Sequence, residues 1–243
     1  MPDPIVLCYH AIGESWQAAV SADRLRQHVR NLLGRGYEPK TFVDAVSAAP
    51  GAKTFSVTFD DAYASVLDRA LPVLADLGVP GTVFVVTGFA DGGAALEWDG
   101  LLESGVGDPE ARRSLTWAQM GHLAAEGWEV GSHTCTHPHL TRLDDEALAR
   151  ELRGSKETCE RALNRECRSI AYPYGDLDER VVAAAVTAGY EAACSLSVAT
   201  SGRHAWPRIG VYAVDSLARF RLKTSPTVLR VRRALADRGA QAR

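Results

Sequence analysis

The chain has 243 residues, of which 46% are hydrophobic and 23% are charged, a balance typical of a globular protein with one sizeable core. Its 27 basic and 30 acidic residues give a net charge of -3, which offers no argument for binding nucleic acid. No apolar run reaches the ~20 residues of a membrane-spanning helix, and the first residues lack the pattern of a secretory signal, so we expect a cytoplasmic protein. Five cysteines without a C-x-x-C pair indicate free thiols.

Short β-branched or aromatic segments alternate with longer helical patterns along the chain. The predicted strands are 5–8, 54–59, 82–86, 128–131, 169–172, 190–194 and 208–212. The predicted helices are 21–33, 116–127, 144–164 and 178–187. This alternation predicts a parallel sheet covered by helices on both faces, and the number of units favours a small or incomplete (β/α) barrel over an open sheet. The count alone leaves both architectures open, and in both we expect the chemistry at the C-terminal ends of the strands.

Two adjacent carboxylates, Asp60 and Asp61, end the most regular predicted strand. Neighbouring strand residues face opposite ways, so both side chains reach one site only if the chain turns sharply there. Two anions brought together repel each other unless one of them binds a cation. The alternative is that these residues cap a helix that begins near Ala62, since Asp is a favoured N-cap.

His133 and His137 follow another predicted strand. Histidines four positions apart lie on one face of a helical turn, and two imidazoles with a carboxylate are a usual zinc ligand set. The pattern therefore predicts a metal site, for Zn²⁺ in the first place, although Co²⁺ or Ni²⁺ would fit the same ligands. After a third strand, Pro173 and Gly175 favour a tight turn with peptide N–H groups available to an anion, or an ordinary strand end.

The three motifs together resemble the polysaccharide deacetylase family of metal-dependent carbohydrate esterases. They are T-F-D-D at 58–61, H-T-C-T-H-P at 133–138 and Y-P-Y-G at 172–175, and the similarity extends over about residues 1–212. The resemblance implies a distorted (β/α)7 barrel, TIM-barrel-like and of a single domain. It also implies an N-deacetylase whose substrate is an acetylated amino sugar in a polysaccharide, an oligosaccharide or a linked unit.

The resemblance also implies roles for individual residues. Asp61, His133 and His137 are expected to bind the metal, and Asp60 is expected to act as the general base on a metal-activated water. The backbone N–H of Tyr174 is expected to contribute to the oxyanion hole. These roles agree with the chemistry, since a bound metal lowers the pKa of its water and an adjacent carboxylate takes the proton.

The sequence departs from the commoner family pattern at two positions. The late Leu-x-His motif that supplies the general acid in many relatives is missing, so we predict that His10, after the first strand, is the acid, as in the exopolysaccharide (poly-N-acetylglucosamine) deacetylase type. Ala171 stands where many relatives have an Arg that positions the catalytic Asp, and Arg208 is the predicted substitute. The residues predicted to contact the sugar, with core aromatics as the competing interpretation, are Tyr9, Trp98, Pro173, Tyr174 and Trp206.

The chain is predicted to consist of a catalytic domain, 1–215, and a basic helical tail, 216–243. From Arg219 onward there are eight basic residues against one acidic residue, and segment 225–243 is predicted to be amphipathic. It would lie on an anionic membrane surface, or else form a solvated terminal helix. Two other functions stay open, namely a small-molecule hydrolase of cyclic imides or ureides with this fold, and a sugar-binding module without catalysis.

Overall fold

The computed structural model describes residues 4–13, 18–103, 108–196, 202–231 and 234. Its strands form one sheet, and every strand pairing is parallel. The strands are β1 (Ile5–Tyr9), β2 (Glu38–Pro39), β3 (Thr54–Phe59), β4 (Gly81–Val85), β5 (Glu129–Ser132), β6 (Ser169–Ala171), β7 (Ala192–Ser195), β8 (Trp206–Pro207) and β9 (Ile209–Gly210).

Helices connect most of the strands. They are α1 (Ala22–Gly34), α2 (Phe42–Val46), α3 (Leu71–Ala75), α4 (Asp99–Glu103), α5 (Trp117–Ala125), α6 (Asp145–Leu163), α7 (Glu179–Thr187) and α8 (Leu217–Lys223). A π-helical segment, Val66–Ala70, precedes α3. Residues 226–231 are also helical. Four predicted start signals are confirmed as side-chain caps, by Ser21 for α1, Thr116 with Gln119 for α5, Asp144 for α6 and Asp178 for α7.

The sheet closes on itself around Arg208. The strand order is β8-β7-β6-β5-β4-β3-β1-β9, and β2 pairs with the first residues of β3. Only Arg208 separates β8 from β9, so the chain at 206–210 pairs with β7 on one side and with β1 on the other. The sheet is thereby nearly closed into a barrel with seven strand positions, and the predicted distorted (β/α)7 barrel is confirmed.

Alternate residues of each strand face opposite sides of the sheet. On β1, Ile5, Leu7 and Tyr9 belong to the main core beneath the helices, whereas Val6 belongs to a second cluster. This second cluster, here the interior cluster, lies inside the barrel and consists of Val6, Phe42, Val43, Phe84, Ala171, Ala192 and Cys194. Since α2 supplies Phe42 and Val43 near the start of β4, where Thr82 bonds to the Phe42 N–H, apolar residues fill the N-terminal end of the barrel. The C-terminal end of the barrel is therefore the end available for a functional site.

The first part of the predicted tail packs on the barrel. Phe220 of α8 is fully buried, and its ring stacks on the His28 ring of α1 at 4.1 Å between centroids. Lys223 Nζ lies 2.6 Å from the buried Asp215 carboxylate. The segment from 216 to 224 is therefore docked on α1. None of the helices in the described part of the chain combines the length and the hydrophobicity needed to span a bilayer.

Candidate active site

The two carboxylates after β3 reach one site because the chain turns sharply there. Asp61 and Ala62 both have left-handed φ angles, 67° and 55°. Asp60 stays on the barrel-interior face of the strand, the turn redirects Asp61, and both side chains are buried. No helix begins at Ala62, because the next helical segment starts only after Ser65, so the alternative of a helix cap is wrong.

Asp60 forms a two-point ion pair with Arg208. The two terminal guanidinium nitrogens lie 2.6 Å from the two carboxylate oxygens, and one of them also donates to the Thr58 hydroxyl at 3.0 Å. The Arg208 side chain is fully buried. The predicted substitute for the missing Arg at Ala171 therefore does contact Asp60, and it reaches Asp60 from the strand that closes the barrel.

Burial and charge act differently on the two neighbouring carboxylates. Burial alone would raise the pKa of Asp60, but the Arg208 charge outweighs it and holds that pKa well below its usual range. Burial, together with the negative charge of Asp60, raises the pKa of Asp61. Asp60 is thus an anion held by Arg208, while Asp61 lacks a cation of its own.

His133 and His137 meet Asp61 through a bent loop. Their Nε2 atoms lie 3.5 Å and 3.6 Å from Asp61 Oδ1. The expected helical turn is wrong, because residues 133–137 are not helical and Thr134 and His137 have left-handed φ angles of 69° and 62°. The two imidazoles converge because of these backbone kinks.

The three side chains fit a divalent metal ion. Ligands about 2.1 Å from a tetrahedral zinc ion are separated by about 3.4 Å, close to the distances observed here. Asp61 Oδ1 is buried and accepts no hydrogen bond from any described residue. His133 Nδ1 lies 2.7 Å from the Ala171 carbonyl oxygen, which can only accept, so the proton is on Nδ1 and the lone pair of Nε2 faces Asp61.

Burial also favours the uncharged form of the histidines. It lowers the pKa of His133 from 6.5 to about 4, and it lowers the pKa of His137 still further, an effect that the neighbouring His133 increases. Neutral imidazoles are the form that binds metals. Asp61, His133 and His137 are thus brought together as a group that could hold a metal ion, and we call these three residues the metal-binding group.

His10 follows β1. In the sheet, β1 lies on one side of β3, which leads to Asp60, whereas β5, which leads to His133, lies on the other side. A ring nitrogen of His10, the Asp60 carboxylate and the Cys8 thiol lie within 4.8 Å of one another. Burial lowers the pKa of His10. The structure thus places the predicted acid beside the predicted base.

Aromatic side chains form a wall beside the metal-binding group. The Trp98 ring stacks on His137 at 4.2 Å between centroids, and Tyr174 packs edge-on against the same imidazole at 4.6 Å. His139 stacks on Tyr174 at 4.1 Å. Tyr174 has a left-handed φ of 58° in the turn Pro173–Gly175, and its side chain is 44% exposed.

Three of the predicted sugar-contacting residues lie elsewhere. Tyr9 is fully buried on the helix-facing side of β1, where its hydroxyl is 3.0 Å from His28 Nδ1, so the prediction that it contacts substrate is wrong. Strand alternation separates it from His10. Pro173 is buried in its turn. Trp206 packs against the interior cluster, as the competing interpretation of a core aromatic expects.

Several contributors were not predicted from the sequence. The Cys8 thiol donates to Asp60 at 3.3 Å, and the buried Tyr63 offsets part of the rise in the pKa of Asp61. Cys8 and Thr58 share the interior side of neighbouring strands, being paired in register. The alternation of side chains along each strand could have indicated that Cys8 and Thr58 face the same side of the sheet as Asp60. Nothing local indicated Tyr63 or His139, since each reaches the site through a turn.

Comparisons with known proteins identify the family of this chain. A family model described as polysaccharide deacetylase matches residues 47–193. YxkH of Bacillus subtilis (strain 168), which is named for this family, is 26% identical over 226 residues, or 91% of this chain and 71% of YxkH. A chitooligosaccharide deacetylase of Rhizobium leguminosarum bv. trifolii is 33% identical over 138 residues, or 55% of this chain and 52% of that protein.

Solved structures show the same fold. The Streptococcus pyogenes deacetylase PplD, solved with acetate, superposes with a TM-score of 0.74 at 22% identity, covering 93% of this chain and 100% of that chain. IcaB from Ammonifex degensii superposes with a TM-score of 0.71 at 22% identity, covering 94% and 97%. The predicted family and its enzyme class, a hydrolase of amide bonds, are confirmed.

Proposed function

Because the chain belongs to the polysaccharide deacetylase family, we propose that it hydrolyses the N-acetyl group of an acetylated amino sugar and releases acetate and a free amine. The observation that carries the proposal is the buried metal-binding group next to an Asp60 that Arg208 holds as an anion. This arrangement supplies a place for a cation and a separate carboxylate that need not bind it.

Asp61, His133 and His137 would hold a divalent metal ion, for which Zn²⁺ is our first choice and Co²⁺ or Ni²⁺ are alternatives. When bound, such an ion polarises the amide carbonyl and lowers the pKa of a nearby water. It also supplies the positive charge that Asp61 lacks in the protein itself. Asp61, His133 and His137 would supply three ligands, the number that catalytic zinc sites take from the protein.

Asp60 acts as the general base in this proposal. It takes a proton from the water that attacks the amide carbon. The two-point contact with Arg208 leaves the carboxylate little rotational freedom and keeps it ionised before the reaction starts. The Cys8 thiol adds a third contact to the same carboxylate.

His10 acts as the general acid. Breaking the C–N bond leaves a strongly basic nitrogen, so a proton must reach it as the bond breaks. His10 lies beside Asp60 outside the metal-binding group. Its protonated form, which the Asp60 charge favours, donates that proton to the nitrogen and is left as neutral imidazole. The Tyr174 N–H is proposed to stabilise the oxyanion, because the Tyr174 turn brings this residue against His137.

Trp98 and Tyr174 are proposed to contact the sugar. Both rings lie against His137, so a pyranose bound on them would present its 2-acetamido group towards the metal-binding group. A half-exposed aromatic wall suits the apolar face of a sugar ring better than a small cyclic imide. Because Arg208 makes the two-point contact with Asp60, the absence of an Arg at Ala171 does not favour an inactive binding module.

The test is acetate release across a panel that runs from monomeric N-acetylglucosamine, through linked monosaccharides, to β-1,4 and β-1,6 oligomers. Zinc-loaded protein, a chelated blank and the Asp60→Asn variant are compared on each substrate. We expect metal-dependent release from at least one acetylated sugar and none from Asp60→Asn. Silence across the panel, combined with ring opening of a cyclic imide, would contradict the proposal.

We also propose that segment 225–243 contacts anionic membranes. Arg230 is exposed and Val231 is 54% exposed, so the described part of the segment offers both charge and apolar surface. Residues 232, 233 and 235–243 lie outside the described residues. Binding to vesicles should increase with their content of anionic lipid and should disappear when 225–243 is deleted; binding that is insensitive to both would contradict it.

A further inference from the structure

The loop that carries His133 and His137 contains two residues in a backbone conformation that residues other than glycine avoid. Thr134 and His137 both have left-handed φ angles. Such a loop keeps its shape only if surrounding contacts fix it. Its backbone N–H groups therefore need partners that hold this particular geometry.

The ends of β4 and β5 and the loop itself hold three of the five N–H groups from 133 to 137. The His133 N–H donates to the Val85 carbonyl at 2.7 Å. The Thr134 N–H donates to the Ser132 hydroxyl at 3.1 Å, and the His137 N–H donates to the Thr134 hydroxyl at 3.0 Å. The two remaining groups, at 135 and 136, have a single partner.

That partner is Glu151 of α6. Its Oε2 accepts from the Cys135 N–H at 2.7 Å and from the Thr136 N–H at 3.1 Å. Its Oε1 accepts from the Thr136 hydroxyl at 2.7 Å. One side chain thus holds both N–H groups at the middle of the loop, while the Thr134 and Cys135 carbonyls accept from the N–H groups of Thr87 and Gly88.

We infer that Glu151 is a positioning residue for the metal-binding group, because its three hydrogen bonds hold the loop in the shape that points His133 and His137 at Asp61. This inference rests on the proposed function, since it assumes that these three residues bind a metal. Outer-shell partners of metal ligands are typically worth about 10-fold or more in metal affinity. Glu151 acts on both histidines through their shared backbone.

Geometry and charge can be separated at this position. Gln keeps the reach of Glu, because its carbonyl oxygen can accept both N–H groups while its amide donates to the Thr136 hydroxyl. Asp keeps the negative charge but is one methylene shorter, so it cannot make all three contacts. If Glu151 acts by position, Gln preserves metal binding and Asp does not, whereas attraction of the cation by charge alone predicts the opposite order.

The experiment measures Zn²⁺ affinity by competition with a chromophoric chelator, for wild type and for Glu151→Gln, Glu151→Asp and Glu151→Ala. Glu157→Ala is the matched control, because Glu157 is an exposed carboxylate on the same helix. Amide hydrogen exchange at 135 and 136 in the metal-free proteins is the second readout. Circular dichroism in chelator verifies that each variant is folded.

We expect Glu151→Ala and Glu151→Asp to bind Zn²⁺ about 10-fold more weakly than wild type and to lose protection at both amides. Glu151→Gln should stay within threefold of wild type, and Glu157→Ala should not differ from it. Should Glu151→Ala not fold, the Gln and Asp pair still decides the question. Affinity of Glu151→Asp equal to wild type would overturn the inference. Failure of wild type itself to bind Zn²⁺ would instead contradict the proposed function.

Discussion

Arg208 and Asp60 are 148 positions apart in sequence, yet the two terminal nitrogens of the Arg208 guanidinium each lie 2.6 Å from one oxygen of the Asp60 carboxylate. The contact exists because the last strand joins the two edges of the sheet at Arg208. Two parallel, charge-assisted hydrogen bonds fix both the ionisation state and the orientation of Asp60. The catalytic role proposed for Asp60 therefore depends on the closure of the barrel.

Arg208→Lys should reduce kcat by at least about 10-fold, because lysine keeps the charge but cannot form the two-point contact. KM and metal content should change little, which marks Arg208 as a positioning residue for Asp60. Arg208→Ala should in addition destabilise the fold by about 3–5 kcal/mol, since it leaves Asp60 buried and unpaired. Steady-state kinetics with metal analysis and urea unfolding provide the check; wild-type kcat in Arg208→Lys would contradict this role.

His10→Ala should reduce turnover of an N-acetyl sugar by about 100-fold while the bound metal stays stoichiometric. The loss should shrink for an acetyl ester with a good leaving group, because such a leaving group departs without a proton. Comparing both substrates separates an acid from a structural residue. Unchanged turnover of the amide, or equal losses on amide and ester, would remove His10 from the mechanism.

Asp61→Asn should abolish metal binding without weakening the metal-free fold. Burial and the charge of Asp60 raise the pKa of Asp61, so an amide of the same shape relieves an unfavourable charge. Zn²⁺ at 100 times its Kd should stabilise wild type by about 2.7 kcal/mol and the variant not at all. Thermal unfolding with and without Zn²⁺ measures this, and equal Zn²⁺ stabilisation of both proteins would show that the ion binds elsewhere.

The stability of the metal-free protein should fall as the pH decreases below 6.5. Burial lowers the pKa of His28 from 6.5 to about 4, so between these values the unfolded chain binds a proton that the folded protein excludes. His28→Gln removes the imidazole that binds this proton in the unfolded chain. From pH 7 to pH 5 in chelator, wild type should lose about 2 kcal/mol more unfolding free energy than the variant. Equal losses in urea unfolding would contradict the prediction.

Local sequence signals predicted much of the fold. Helix caps such as Ser21 and Asp144 satisfy backbone groups of their own helix, so they work without knowledge of the fold. The polar motifs that follow β3 and β5 could also be predicted to lie together, because parallel strands all end at the same end of the barrel. The family resemblance then supplied the roles expected for these residues.

The remaining features depend on contacts that local signals do not contain. The spacing of His133 and His137 predicted a helical turn, but left-handed backbone angles bring the imidazoles together instead. From the sequence, Tyr9 is predicted to contact the sugar, but alternation along β1 places its side chain in the core. The stacking of Trp98 on His137 requires a long loop to fold back over the site, and no periodicity encodes that path.

The most direct test of this account adds Zn²⁺ stepwise to chelated, metal-free protein and follows acetate release from the best substrate of the panel. We predict that activity rises linearly to one equivalent of Zn²⁺ and then stays constant, with no rise in Asp61→Asn or Asp60→Asn. Only the first of these variants should also lose Zn²⁺ binding. Acetate release that is unaffected by chelation, or that persists in Asp61→Asn, would contradict the assignment of Asp61, His133 and His137 as the catalytic metal-binding group.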